Sequence, residues 1–171
     1  NQFEAKIFRS EKVDTHGGSI RIYIKKDKKV KIENCVKRIL KEEEEYGIKR
    51  FQTYKTFGEK VYKIRENVRK NIKKLRKNDD LIIGYGAPAK ATTALNFFGI
   101  SEEIDFIVED NKLKHNKFVP GVKIPIKDKS KIKNKKNTLI VLAWNFFDDI
   151  KKNNSNLSEN IINIKNLEIN N

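Results

Sequence analysis

A strand-like run, Leu81, Ile82 and Ile83, leads into Gly84-Tyr85-Gly86-Ala87-Pro88-Ala89-Lys90, and an apolar-periodic tail follows to Ile100. Glycine lets another group approach the backbone, and a helix start offers unpaired N–H groups and the positive end of its dipole to an anion. The run is not a phosphate-cradling GxxxxGK[ST] loop, because Ala89 and Ala91 flank the lysine where Gly and Ser or Thr are required. It does match GxGxxA between a strand and a helix, with Pro88 in the first turn, where its missing N–H costs nothing. Glu109 and Asp110 end the next apolar run about 20 residues on, the place of an acid that binds a ribose hydroxyl. Together these features favour a phosphate-bearing ligand over a tight strand-to-helix turn with no ligand. They do not identify that ligand.

Other residues with usable chemistry surround this turn. Lys90 lies in the helix that follows, where its charge can meet a phosphate-bearing ligand or equally face solvent. Lys114, His115 and the Pro120-Gly121 turn belong to the loop after the second strand, which in open α/β sheets borders the ligand crevice. Asn145 follows the apolar run Leu139–Trp144, at a position open to a ligand contact or to capping the next helix. His16, one of 2 histidines and followed by two glycines, has a side chain whose ordinary pKa suits a general base; a structural or interface role is the preferred reading. The lone Cys35 has no Cys or His at metal-ligand spacing, so no metal site is expected in this segment.

Short apolar runs alternating with helical segments must position these residues. Strands are expected at 81–84, 104–108, 138–144 and 161–164, and helices at 88–98 and 146–152, with a further edge strand at Val122-Lys123-Ile124-Pro125-Ile126. That alternation predicts a small parallel α/β sheet. Upstream, 4–10 and 19–26 read as two strands around Gly17-Gly18, the second alternating Ile20, Ile22 and Ile24 with Arg21, Tyr23 and Lys25. Helices are expected at 33–46, ending at Gly47, and at 51–77, with Phe57, Val61, Ile64, Val68, Ile72 and Leu75 as one stripe.

The net charge of +15 raises the question of nucleic acid. Lys, Asn and Ile are enriched along the whole chain, and no zinc-finger spacing or RNA-binding aromatic signature accompanies the charge, so no nucleic-acid partner is expected. The longest apolar run falls far short of the roughly 20 residues of a membrane helix, and a cytoplasmic protein without a membrane partner is expected. The 171 residues contain 0 Met and open on a strand-like Asn1–Phe8, which reads as a piece of a longer protein.

The Thr15–Ile24 stretch with His16-Gly17-Gly18-Ser19, the Gly84–Ile100 stretch, Asp105–Ile126 and Leu142-Ala143-Trp144-Asn145-Phe146-Phe147-Asp148-Asp149-Ile150 together resemble the C-terminal domain of the sugar C-methyltransferases. That resemblance spans nearly the whole chain, in order. It implies S-adenosylmethionine-dependent methylation of a ring carbon of a dTDP-linked keto-deoxysugar: loss of the proton beside the ketone, then attack of the enolate carbon on the sulfonium methyl.

The resemblance further implies a fold of small Rossmann-like parallel sheet with flanking helices, preceded by a helical connector and the terminal β-hairpin of an upstream domain. Residues 1–30 would end the central methyltransferase domain, 31–77 form the connector, and 78–171 form the substrate-binding domain. The family's Tyr-His-Glu-His stretch is absent, so no catalytic residue is carried over. S-adenosylmethionine would be bound by the missing upstream domain and zinc by a missing N-terminal module, with neither in this segment. The implied substrate-binding set is Gly84, Tyr85, Gly86, Ala87, Lys90, Glu109, Asp110, Lys114, His115 and Asn145, facing a dTDP-sugar or related keto substrate. Asn116 stands where the family has Gly, and Asn tolerates a left-handed backbone there. The competing expectation is a stand-alone Rossmann-like nucleotide-binding module without methyltransferase activity.

Overall fold

The alternation of Ile20, Ile22 and Ile24 with polar neighbours folds as strand β2 (Ser19–Lys25), antiparallel to β1 (Lys6–Val13), with one register shift between Ile7 and Arg9. These are elements of a computed structural model that describes residues 3–76 and 81–169. A short 3-10 turn, Thr15–Gly17, joins the two strands. Helix α1 (Asn34–Tyr46) follows and ends at Gly47, whose left-handed backbone lets its N–H reach the carbonyls of Glu43 and Glu44. On α1, Ile39 is buried while Leu40 is exposed, and the Phe8 carbonyl on β1 accepts the Glu33 N–H just before the helix.

Helix α2 (Phe51–Arg76) carries the expected stripe only in its second half. Val68 and Ile72 are fully buried and Ile64 and Leu75 partly so, whereas Phe57 is exposed. The chain divides into two compact units inside this helix, Asn1–Glu59 and Lys60–Asn171. Lys77, expected to close the helix, and Asp79-Asp80 lie outside the described residues.

The second unit is built on five parallel strands: β3 (Leu81–Tyr85), β4 (Phe106–Val108), β5 (Ile126–Lys127), β6 (Asn137–Val141) and β7 (Asn160–Asn163), in the order β5-β4-β3-β6-β7. Helix α3 (Ala89–Phe98) links β3 to β4, and α4 (Phe147–Asn153) links β6 to β7. The strands read as unbroken apolar runs because both sheet faces are covered. On one face Ile82, Ile107, Ile140 and Leu142 pack with Ala91 and Leu95 of α3 and Val68 and Ile72 of α2. On the other, Ile83, Tyr85, Val108, Leu139 and Val141 pack with Phe147 and Ile150 of α4.

The α/β reading therefore holds, and boundaries moved for local reasons. Strand β6 ends earlier than expected because the Leu142 N–H makes the last bond to β3, at the Tyr85 carbonyl, and Trp144–Phe146 then coils into a 3-10 turn. Of the edge strand expected at 122–126 only Ile126 lies in the two-residue β5. Pro125 precedes it and contributes only its carbonyl, which accepts the Ile107 N–H.

A bidentate pair ties the end of α2 to the sheet. The Arg76 guanidinium donates to both Asp105 oxygens at 2.6 and 3.0 Å, and the Ile82 N–H donates to Asp105 at 2.9 Å.

Candidate functional site

Strand β3 lies between β4 and β6. The chain leaves β3 toward one side of the sheet and later returns to its other side as β6, so the carboxyl ends of β3 and β6 flank a topological switch point. In open parallel sheets such a point opens a crevice for ligands. Gly86, Ala87 and Pro88 emerge from β3 there, and Ala143, Trp144 and Asn145 emerge from β6.

The two glycines of the motif do different work. Gly84 lies inside β3 and is buried. A Cβ on it would stand 2.8 Å from Ile107 Cγ1 and 2.9 Å from Leu142 Cδ1, so its missing side chain admits the core rather than a ligand. Gly86 adopts φ +86°, a backbone that L side chains rarely take, and a Cβ there would lie 3.0 Å from the Ala143 Cβ. It sets the turn, and its N–H is held by the Val108 carbonyl at 2.8 Å.

Pro88 caps α3 with extended backbone, and its carbonyl accepts from the Ala91 and Thr92 N–H groups. The N–H groups of Ala89 and Lys90 precede those first helical bonds and have no intrahelical carbonyl to meet. The half-buried Lys90 lies in this first turn. Its ammonium stands 4.8 Å above the Trp144 ring centre. Trp144 in turn packs against the α3-side core. Asn145 is exposed beside it within the 3-10 turn, and the helix after it starts at Phe147 without a side-chain cap, so Asn145 does not serve as that cap.

The loop after β4 closes over the Gly86-Ala87 turn. Glu109 accepts the Ala87 N–H at 2.8 Å and the Asn111 N–H at 3.1 Å, and pairs with Lys114 at 3.1 Å. Burial works against its charge, but these donors outweigh it and hold the carboxyl below the usual carboxylate range. Lys114 also donates to the Ala87 carbonyl at 3.0 Å. His115 places Nε2 2.7 Å from the Glu109 carbonyl, which can only accept, so the proton sits on Nε2. Asn116 has φ +60°, the left-handed backbone that a Gly would also take. The Pro120-Gly121 turn is locked to α3, where Asn96 donates to the Pro120 carbonyl at 2.9 Å.

Tyr85 and Asp110 face the α4 side instead. The Tyr85 hydroxyl donates to Asp110 at 2.8 Å, and Lys129 reaches Asp110 at 2.6 Å and Asn154 at 3.1 Å. Burial and the Asp110 charge push the Tyr85 hydroxyl pKa up, while Lys129 and Tyr85 hold the Asp110 carboxyl low against its own burial. Tyr85 is only 3% exposed, so it braces the strand end from behind. The predicted set thus divides. Gly86, Ala87, Lys90 and Asn145 border the crevice; Glu109, Lys114 and His115 support it; Gly84 lies within the sheet, Tyr85 behind it, and Asp110 in the loop after β4, with its side chain exposed on the α4 side. His16 falls in the 3-10 turn of the first unit.

Trp144 was not among the expected site residues. Its signal was present: it is the 1 Trp of the chain and closes the apolar run that begins in β6. Among the described residues no group of three or more His, Cys, Asp or Glu side chains could hold a metal ion. No described helix is long and apolar enough to cross a membrane. A cavity of about 500 Å³, lined by Arg76, Leu81, Asp105, Lys131 and Lys136 among others, opens at the amino ends of the strands, the end where sheets of this kind do not place ligands.

A family model described as the C-methyltransferase C-terminal domain matches residues 14–163. The C-methyltransferase NovU of Streptomyces niveus is 30% identical over 152 residues, which cover 86% of this chain and 36% of that protein. The chain therefore spans about a third of the length of the curated relative it matches.

Proposed function

The chain belongs to the family of C-methyltransferase C-terminal domains, and on that premise we propose that it is the substrate-holding part of an S-adenosylmethionine-dependent C-methyltransferase acting on a dTDP-linked keto-deoxysugar. The observation that carries the reading is the pairing at the switch point of an anion-seeking helix start with Lys90 above Trp144. The first turn of α3 contains no acidic residue to repel a diphosphate. The indole beside it packs against the α3-side core and holds the ammonium at this helix start. The dinucleotide alternative is less well supported, because Glu109, at the ribose-binding position, is already engaged by three donors.

In this reading residues 1–30 end the methyltransferase domain, 31–77 connect, and 78–171 bind the substrate. Methyl donor, zinc and catalytic base belong to sequence outside this chain. The work takes place in the cytoplasm. The chain's own residues bind and orient the nucleotide, and alone it transfers no methyl group.

Trp144, as the 1 Trp of the chain, reports on its own site. Titration of the chain with dTDP is expected to change its fluorescence saturably. Absence of any change at millimolar dTDP would overturn the reading, and methyl transfer by the chain given S-adenosylmethionine and a keto-sugar would overturn its division of labour.

A further inference from the structure

One ion pair holds both polar groups of one residue in the crevice turn. Glu109 takes the Ala87 N–H at 2.8 Å; Lys114 donates to the Ala87 carbonyl at 3.0 Å and back to the same Glu109 oxygen at 3.1 Å. The closed circuit pins Ala87 on its N–H and C=O sides at once. It does so directly after Gly86, whose φ of +86° and N–H bond to the Val108 carbonyl begin the turn.

The Glu109 side chain is 13% exposed, and its oxygens already accept from Ala87, Asn111 and Lys114. Breaking such a circuit leaves a nearly buried carboxylate short of a partner, which costs more than an exposed pair of the same length. The His115 ring extends the arrangement by donating to the Glu109 carbonyl at 2.7 Å.

We propose that Glu109 and Lys114 are positioning residues that lock the Ala87 peptide, set the ligand affinity of the turn, and touch no ligand themselves. The proposal rests on the substrate-binding reading above. It removes the Ala87 N–H from the donors available to a diphosphate and leaves Ala89, Lys90 and the Lys90 ammonium. A free Lys114 would add a charge to the ligand; a locked one adds only order.

The test uses this chain with dTDP as probe and Trp144 fluorescence as readout. Lys114→Met is expected to weaken binding about fivefold, the equivalent of one hydrogen bond, with the salt dependence of wild type. Lys90→Ala should reduce that salt dependence, because a direct charge contact is screened. Lys114→Arg, which keeps both donations, should restore affinity.

Wild-type affinity in Lys114→Met would overturn the proposal, as would a salt dependence lowered as in Lys90→Ala. Should the wild-type chain bind no dTDP, the functional reading falls by itself. Exchange of the Ala87 amide hydrogen then judges the lock: slow in wild type and faster in Lys114→Met supports it, and equal rates overturn it. Glu109→Gln, which keeps an acceptor oxygen but loses the ion pair, replaces Lys114→Met if that variant does not fold.

Discussion

The ammonium of Lys90, in the first turn of α3, stands 4.8 Å above the indole of Trp144, which opens the 3-10 turn after β6. The two residues are far apart in sequence and meet because β3 and β6 are parallel neighbours across the switch point of the sheet. A cation over an aromatic face contributes about 0.5–1 kcal/mol at exposed sites. That suffices to restrain a lysine without removing its charge from the crevice.

Lys90→Ala is therefore expected to weaken dTDP binding about tenfold, or about 1.4 kcal/mol, while lowering thermal stability little. Fluorescence titration and a melting curve on the same sample separate the two effects. Unchanged affinity would return Lys90 to the solvated surface.

Gly84→Ala should act in the opposite manner. The added Cβ meets the buried side chains of Ile107 and Leu142 at 2.8 and 2.9 Å, and overpacking of this kind costs about 1–3 kcal/mol. Denaturant unfolding should show the loss, with dTDP affinity little changed in the fraction that remains folded. A fully stable variant would contradict the packing described for β3.

Three partly buried carboxylates contribute to the acid sensitivity of the second unit. Burial raises the pKa values of Asp105, Glu109 and Asp110, and in each case hydrogen bonds and a cationic partner outweigh it, so the folded values lie below the ordinary ones. A depressed folded pKa contributes stability that is fully present above the unfolded value, near 4, and is lost as pH falls through the folded value. The urea midpoint should hold steady from about pH 7 to 5 as far as these groups are concerned and drop below about pH 4. Asp105→Asn should flatten part of that drop. A wild-type midpoint insensitive to acid would refute the assigned shifts.

Much of this was legible in the sequence, for physical reasons that also mark where legibility stopped. Unbroken apolar runs such as Leu139–Leu142 reveal a strand buried on both faces, and the expected sheet follows from their spacing. The GxGxxA pattern located the turn, and Asn116 took the left-handed backbone foreseen for it. Side-chain direction was harder to read. Period-two alternation sends Tyr85 to the α4 face and aligns Gly84 with the α3-side core, yet both sit in a motif that reads as one ligand-facing unit. Glu109 reads as a ribose acid by position; only the path of the following loop brings Lys114 back to it. Trp144 reads as part of a strand until the chain is seen to turn after Leu142.

The proposed nucleotide diphosphate occupies the β3–β6 switch point. An amide-resolved NMR titration of the chain with dTDP locates it residue by residue. The largest shifts are expected on Gly86, Ala89 and Lys90 and on the Trp144 indole N–H. Shifts concentrated instead on Lys131, Lys133 and Lys136, at the amino ends of the strands, or no shifts at all, would contradict it.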